Sequence, residues 1–360
     1  MSTNQKWPPR KYAFRVAAGI LAAVAVGGAW LGAGLFGSPF HHKQTTYIYV
    51  RPTDTEATIM HQVAEATQAS SMRGWRLASA LTTFTPRTGR YAVHPAESMW
   101  SVYRKLQRGR QEPVRFTLPS TRTMERLAGS MAQKLMLDSA AVADSLADPA
   151  FAERYGYTTE TLPALFVPNT YELYWDVTLG QFMQRMQREH EAFWQADGRQ
   201  QKAKAIGMST TEVATLASII DEETAANAEK PRVAGMYMNR LAADMPLQAD
   251  PTVKFAAYRK AREEGRSGEE ELAWRRILNA ALLTESPYNT YRNTGLPPGP
   301  IRIASIAGID AVLGHEHHPY MYMCAKEDFS GTHNFAVTYA EHLANARRYT
   351  AALDRRQIKQ

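Results

Sequence analysis

The sequence predicts an α+β protein built from an N-terminal transmembrane helix, a small α/β subdomain and a larger, mainly helical α+β domain. Three observations predict it. No charged residue occurs from Val16 to Phe40. The run Thr46-Tyr-Ile-Tyr-Val50 has the β-branched and aromatic character of a strand. From Phe151 onward, helix-like segments alternate with short stretches punctuated by Pro and Gly. A length of 360 residues favours two domains, and 44% hydrophobic with 21% charged residues excludes disorder as the main state.

The first part of the charge-free run, Val16 to Phe36, spans about 31 Å as a helix, close to the roughly 30 Å hydrocarbon core of a bilayer. Lys6, Arg10, Lys11 and Arg15 precede it without an acid, and only Lys43 and Arg51 follow closely. Positive-inside therefore puts residues 1–15 in the cytoplasm as a tail, 16–36 in the inner membrane as a single span, and everything after about residue 37 outside. A core helix and a cleaved signal peptide are the alternatives. The run exceeds the roughly 7–15 apolar residues of a signal peptide and no A-x-A-like site follows it cleanly, so an uncleaved anchor is expected.

Charge and cysteine content narrow the function. The formal charge is +7, and the four basic residues before the span supply over half of it. What remains is too small to argue for a nucleic-acid-binding surface. The single cysteine, Cys324, excludes an internal disulfide and a Cys-rich zinc site. No phosphate-binding G-x-x-x-x-G-K-[ST], no G-x-S-x-G and no H-E-x-x-H occurs, so nucleotide hydrolysis and the commonest serine and zinc hydrolases lack their signatures.

After a linker, residues 37–45, the segment 46–150 reads as the small subdomain. It comprises the strand at 46–50, a helical stretch Asp54–Thr82, a strand Tyr91–His94, a helix near Ser98–Leu106, a strand Val114–Leu118, and helices near Thr123–Leu137 and Ala140–Leu146. Residues 151–360 form the larger domain, with one late strand, Tyr320–Cys324. Cys324 is expected there as a buried thiol. His315-Glu-His-His318 reads as a solvated loop without a ligand partner elsewhere, so no metal and no cofactor is expected.

Ser209-Thr-Thr-Glu212 has the form of a capping box and precedes Val213, Leu216, Ala217 and Ile220, spaced as one helix face. The cap fixes the phase of three consecutive acids. Glu223 projects beside Ile219, Glu222 lies nearly opposite the apolar stripe, and Asp221 sits on its far shoulder. Partial burial disfavours a carboxylate and raises its pKa, which a proton donor near neutral pH requires. Glu223 is therefore the candidate general acid. The structural alternative is a solvated helix end, or pairing of Glu223 with Arg232 or Arg240.

Two further stretches carry polar groups on stiff backbone. Leu247-Gln-Ala-Asp-Pro-Thr252 puts Gln248 and Asp250 on a Pro-terminated turn. Ser286-Pro-Tyr-Asn-Thr-Tyr291, followed by Gly295-Leu-Pro-Pro-Gly-Pro-Ile301, joins Ser286, Tyr288, Asn289 and Tyr291 to a proline-rich loop. Amides, hydroxyls and phenols of this kind suit a sugar; taken alone, each stretch is more often just a rigid turn. His333, just after the late strand, is open to lining a cleft or to packing.

Together, Leu216-Ala-Ser-Ile-Ile-Asp-Glu-Glu-Thr224, Val233-Ala-Gly-Met-Tyr-Met-Asn-Arg-Leu241, Leu247-Gln-Ala-Asp-Pro-Thr-Val253, Ser286–Tyr291 and Gly295–Ile301 resemble the endolytic murein transglycosylases, the YceG-like family. The resemblance runs from about residue 45 to the C-terminus and includes the single anchor. It implies a LysM-like subdomain near residues 85–147 and a YceG-like catalytic domain over 151–360. In the family the second acid of a Glu-Lys-Glu-like motif is catalytic, and it falls on Glu223, the residue the helical projection selects. Asn239 joins the candidate substrate-binding residues on the resemblance alone. Two departures stand out: the first acid of that motif is Asp221, and the usual Pro-Asp-Thr-Tyr is Pro168-Asn169-Thr170-Tyr171.

The implied reaction cleaves the β-1,4 bond between N-acetylmuramic acid and N-acetylglucosamine within a nascent peptidoglycan strand, without water, leaving a 1,6-anhydro end. The implied partners are peptidoglycan strands, the inner membrane and cell-wall synthases, and the implied role is termination of glycan polymerisation. A hydrolytic muramidase, with Asp221 or Asp250 activating water, and a non-enzymatic, membrane-tethered glycan-binding protein are the competing readings.

Overall fold

The computed structural model describes residues 10–274, 277 and 279–356. Lys6 and the rest of the tail through residue 9 lie outside the described residues. Helix α1 (Arg10–Phe36) contains, from Phe14 to Phe36, the one helix among the described residues long and apolar enough to cross a membrane. None of its most apolar stretch is buried by the protein. The chain then divides into two compact units, residues 1–114 with 172–176, and residues 115–171 with 177–360.

In the first unit α1 is followed by β1 (Thr46–Val50), α2 (Glu56–Thr67), α3 (Arg73–Leu81), β2 (Gly89–Val93) and α4 (Met99–Arg108). β1 and β2 pair antiparallel with Ile48 opposite Tyr91. Alternation along β1 sends Ile48 and Val50 inward, where they meet Ile59, Val63, Trp75 and Tyr103. The continuous helical stretch expected over 54–82 is two helices. The chain breaks at Gln68, whose left-handed φ of 52° ends α2, and Ser70 then bonds back to the carbonyl of Pro39.

The chain continues through β3 (Val114–Thr117), α5 (Met124–Lys134), α6 (Ser139–Ala147), α7 (Pro149–Glu153) and β4 (Thr170–Leu173). α5 and α6, grouped from the sequence with the 46–150 module, belong to the second unit. They are tied there by Ile303 N–H donating to the Thr121 carbonyl at 2.8 Å and Tyr258 Oη to Glu125 at 3.1 Å. The remaining elements are α8 (Leu179–Gln195), α9 (Arg199–Ala205), α10 (Thr210–Glu223), α11 (Lys230–Ala242), α12 (Asp250–Glu263), α13 (Glu269–Ala273), α14 (Asn279–Leu282), α15 (Ile306–Leu313), β5 (Tyr322–Ala325), β6 (His333–Ala336) and α16 (Tyr339–Arg355). The expected late strand is one arm of a hairpin, with Cys324 opposite Asn334. Cys324 is half-buried, and burial raises its thiol pKa.

Helix α10 is the centre of the second unit. Its capping box forms as expected, with Ser209 and Glu212 exchanging hydrogen bonds. Every residue from Val213 to Ile220 is buried, so the helix is enclosed rather than one-faced. Its core includes Val213, Leu216 and Ile220 against Val233, Tyr237 and Ile309. Ser218, fully enclosed, is satisfied by donating to the Thr215 carbonyl at 2.7 Å and accepting from Ile301 N–H at 3.0 Å.

Candidate active site

The three acids that end α10 meet three different fates. Asp221 bonds Lys230 Nζ at 2.7 Å and Ser305 twice, through its N–H at 2.6 Å and its hydroxyl at 2.7 Å. Glu222 is clasped by Arg122, at 2.8 and 2.7 Å, and by Arg302 at 2.8 Å. Among the described residues Glu223 forms no ion pair; its Oε1 accepts the Tyr237 hydroxyl at 2.8 Å and Oε2 has no hydrogen bond. The sequence placed Asp221 and Glu222 away from the apolar stripe. They are nonetheless nearly buried, at 3% and 11% side-chain exposure, because basic side chains from distant segments neutralise them. Arg232 pairs instead with Glu316, and Arg240 with carbonyls of Pro246, Leu247 and Met321.

The electrostatic result is a carboxyl group that keeps its proton to higher pH than an ordinary glutamate. Burial, first, raises Glu223 from 4.5 to about 7; the Tyr237 hydrogen bond opposes this, the Asp250 charge adds to it, and Lys254 opposes it. Asp250 stands at the first turn of α12 and accepts the Tyr291 hydroxyl at 2.6 Å. Burial and the Asp250 hydrogen bond hold the Tyr291 phenol above its usual range, so it stays a neutral donor. Pro251, read as ending a turn, instead sits in the first turn of α12, where a missing N–H costs nothing. That helix sets Lys254 one turn beyond Asp250, on the same side, with no hydrogen bond or ion pair of its own among the described residues.

The structure thus brings Glu223, Asp250 and Tyr291 into one electrostatic neighbourhood. Gln248, exposed and held at a left-handed φ of 49°, borders it, with Oε1 3.5 Å from Arg240. The other sequence candidates are engaged elsewhere. Asn239 donates to the carbonyls of His318 and Tyr320, at 2.6 and 3.0 Å. Asn289, fully buried, spans the carbonyls of Leu282 and Thr284 while accepting Tyr291 N–H, which fixes the loop that delivers Tyr291. Ser286 accepts the Tyr288 N–H at 3.2 Å. His333 grips Glu229 through both its N–H and Nδ1, at 2.7 and 3.0 Å. Asn169 folds its side chain onto Thr170 N–H.

Tyr288 lines two adjoining pockets of about 410 and 840 Å³ that share Glu160, Arg259 and Glu263; Glu223 lines neither. In the smaller, Phe255 and Tyr288 pack with ring centres 4.8 Å apart, under the Arg259 guanidinium. Sequence reasoning missed Tyr237 and Lys254. Tyr237 was available as the residue one turn after Val233 on an apolar face, and Lys254 as the residue one turn after Asp250, had α12 been recognised. The His315–His318 loop lies at the surface, with His317 exposed, but it is tied down: His318 Nε2 reaches the Arg232 carbonyl at 2.9 Å and Nδ1 accepts Tyr320 N–H. Among the described residues no cluster of His, Cys, Asp and Glu is arranged to hold a metal ion.

At the end of an enclosed helix, the Glu223 carboxyl thus shares its surroundings with the Tyr237 and Tyr291 phenols, Asp250 and Lys254. The chain belongs to the YceG-like family, whose profile matches residues 48–348. It is 37% identical over 145 residues to an endolytic murein transglycosylase of Bacillus subtilis, covering 40% of this chain and 36% of that relative. A protein of the same description from Streptococcus pneumoniae is 25% identical over 270 residues, covering 66% of this chain and 46% of the relative. The chain thus spans between about a third and a half of the length of these curated relatives. A crystal structure of a YceG-like protein from Listeria monocytogenes superposes with a TM-score of 0.53 at 25% identity, covering 84% of this chain and 99% of that one.

Proposed function

We propose that this protein is a membrane-anchored endolytic transglycosylase that cleaves MurNAc-β-1,4-GlcNAc bonds within nascent peptidoglycan strands. The observation that carries the reading is the contrast among the three acids: two are neutralised by cations and the third, Glu223, is held near pKa 7 with one oxygen free. The curated relatives' description as endolytic murein transglycosylases supports the same reaction class.

In this mechanism Glu223 protonates the glycosidic oxygen as the bond from C1 breaks. The resulting carboxylate takes the proton of the muramyl 6-hydroxyl while O6 bonds to C1, and Glu223 ends as it began. The product is a 1,6-anhydro end and no water is consumed. Ordinary glycosidases place two carboxylates about the bond; here the substrate supplies the nucleophile. Lys254 stabilises the carboxylate formed midway, and Tyr237 holds Oε1 so that Oε2 faces the substrate. Asp250, aligned by Tyr291, offsets positive charge growing at C1. A LysM-like module within residues 46–150 holds the strand, and the α1 anchor, with its N-terminus in the cytoplasm, keeps the enzyme beside the cell-wall synthases so that cleavage terminates polymerisation.

The pH profile tests the acid's role. Cleavage should fall as pH rises through about 7, because the donor must be protonated. Lys254→Met removes a charge that lowers the Glu223 pKa, so its alkaline limb should move to higher pH; Asp250→Asn removes one that raises it, so its limb should move lower. Limbs that stay in place in both variants would count against Glu223 as the titrating donor. In cells, deleting residues 1–37 should lengthen glycan strands; unchanged strand length would remove the proposed terminator role.

A further inference from the structure

We propose that the first unit carries a binding surface for anionic phospholipid headgroups beside the outer end of α1, an inference that rests on α1 spanning the bilayer. Three helices meet there. α3 packs against α1 so closely that a Cβ on Gly74 would lie 1.9 Å from the Gly34 carbonyl oxygen. α4 starts on α1's end, with Met99 N–H bonding the Gly37 carbonyl at 3.3 Å and Ser38 bonding Pro95. In the proposed pose the first turn of α4 enters the headgroup layer, roughly 5–7 Å deep per leaflet, and the helix lies in the membrane plane, so that Arg108, about 13 Å further along, meets that layer too.

At this junction Arg108 and Arg110 are exposed, while Trp100 is half-buried against the core with Arg104 over its ring at 5.5 Å, and together these residues are those an anionic interface selects. Trp100, Arg104 and Arg108 follow one another at four-residue spacing along α4, away from its buried Met99, Val102, Tyr103 and Leu106. With Ser101, Lys105 and Arg110 they line a pocket of about 350 Å³. Arg108 and Arg110 make no ion pair or side-chain hydrogen bond among the described residues, whereas Lys105 and Glu97 neutralise one another at 2.7 Å. On the α3 side Arg73 lies over the Trp30 ring at 4.9 Å, in a second cleft of about 300 Å³ bordered by Gly34 and Leu77. Tryptophan seated at the interface and unpaired guanidinium groups reaching phosphate are the chemistry of anionic lipid recognition. Holding the first unit flat on the bilayer would fix its distance from a membrane-attached strand.

The test uses the full chain in nanodiscs of phosphatidylcholine with or without phosphatidylglycerol, with brominated acyl chains as quenchers. Trp100 is read as the difference between wild type and Trp100→Phe. Trp30 quenching in every bilayer reports the anchor separately, so failure of that reading is distinguishable. Trp100 quenching should rise at least twofold with phosphatidylglycerol, fall back in 0.5 M salt, vanish in Arg104→Gln/Arg108→Gln/Arg110→Gln and persist in the corresponding Arg→Lys triple variant. Equal quenching in neutral and anionic discs would overturn the proposal. So would survival in the Gln variant, or stronger Trp100 quenching by the same brominated chains when polyprenyl pyrophosphate replaces phosphatidylglycerol at matched charge.

Discussion

Glu223→Gln should lower cleavage of glycan strands by between about 10²-fold and 10⁴-fold, the span expected when a positioned acid/base is removed. The change keeps size and the hydrogen bond from Tyr237, so substrate binding should be retained and the loss should fall on kcat. The same variant has a signature in stability. The folded pKa of Glu223, about 7, lies above its ordinary 4.5. A raised folded value means the folded state holds a proton that the unfolded chain releases, so the stability this contributes is complete below about pH 4.5 and lost as pH rises through about 7. Glutamine cannot ionise. The variant should therefore match wild type near pH 4 and exceed it in Tm at pH 8, so an inactive protein more stable than its parent would separate lost chemistry from lost fold. Retention of wild-type turnover would remove Glu223 from the mechanism.

The second large effect concerns Asp221, two residues before Glu223, whose carboxylate packs so closely on Gly308 that a Cβ there would lie 2.7 Å from Oδ1. Asp221→Ala should destabilise the protein by about 3–5 kcal/mol, because it strands the Lys230 ammonium, 7% exposed, and frees the Ser305 N–H and hydroxyl. By contrast Glu269→Ala breaks a pair with Arg126 in which both side chains are nearly half exposed, and should cost under about 1 kcal/mol. Urea midpoints at constant m distinguish the two. Equal small shifts would mean that the Asp221–Lys230–Ser305 cluster does not secure the end of α10. Committed in this way, Asp221 has no free oxygen with which to activate water.

What was legible in the sequence was local. The capping box at Ser209 fixed the phase of α10, and a fixed phase is enough to aim Glu223 at apolar neighbours. The partners of Asp221 and Glu222 come from 9 to 100 residues away, and no periodicity within α10 announces them. Pro251 misled because the same ring that ends helices also suits their first turn; reading it as a stop hid α12 and with it Lys254. β6, His333-Asn-Phe-Ala336, has no β-branched residue and is a strand only through its pairing with β5. Gln68 breaks the α2–α3 stretch with neither glycine nor proline at the turn. Asn289 offered an amide in a polar loop, and only the fold reveals that both ends of that amide hold backbone.

Cleavage of intact glycan strands in ¹⁸O-labelled water, read by mass spectrometry, tests the centre of the account. If the muramyl 6-hydroxyl is the nucleophile, the new ends are 1,6-anhydro, resist borohydride and carry no label. Reducible ends bearing ¹⁸O would mean that solvent attacks the sugar, and the one-carboxyl mechanism would fail.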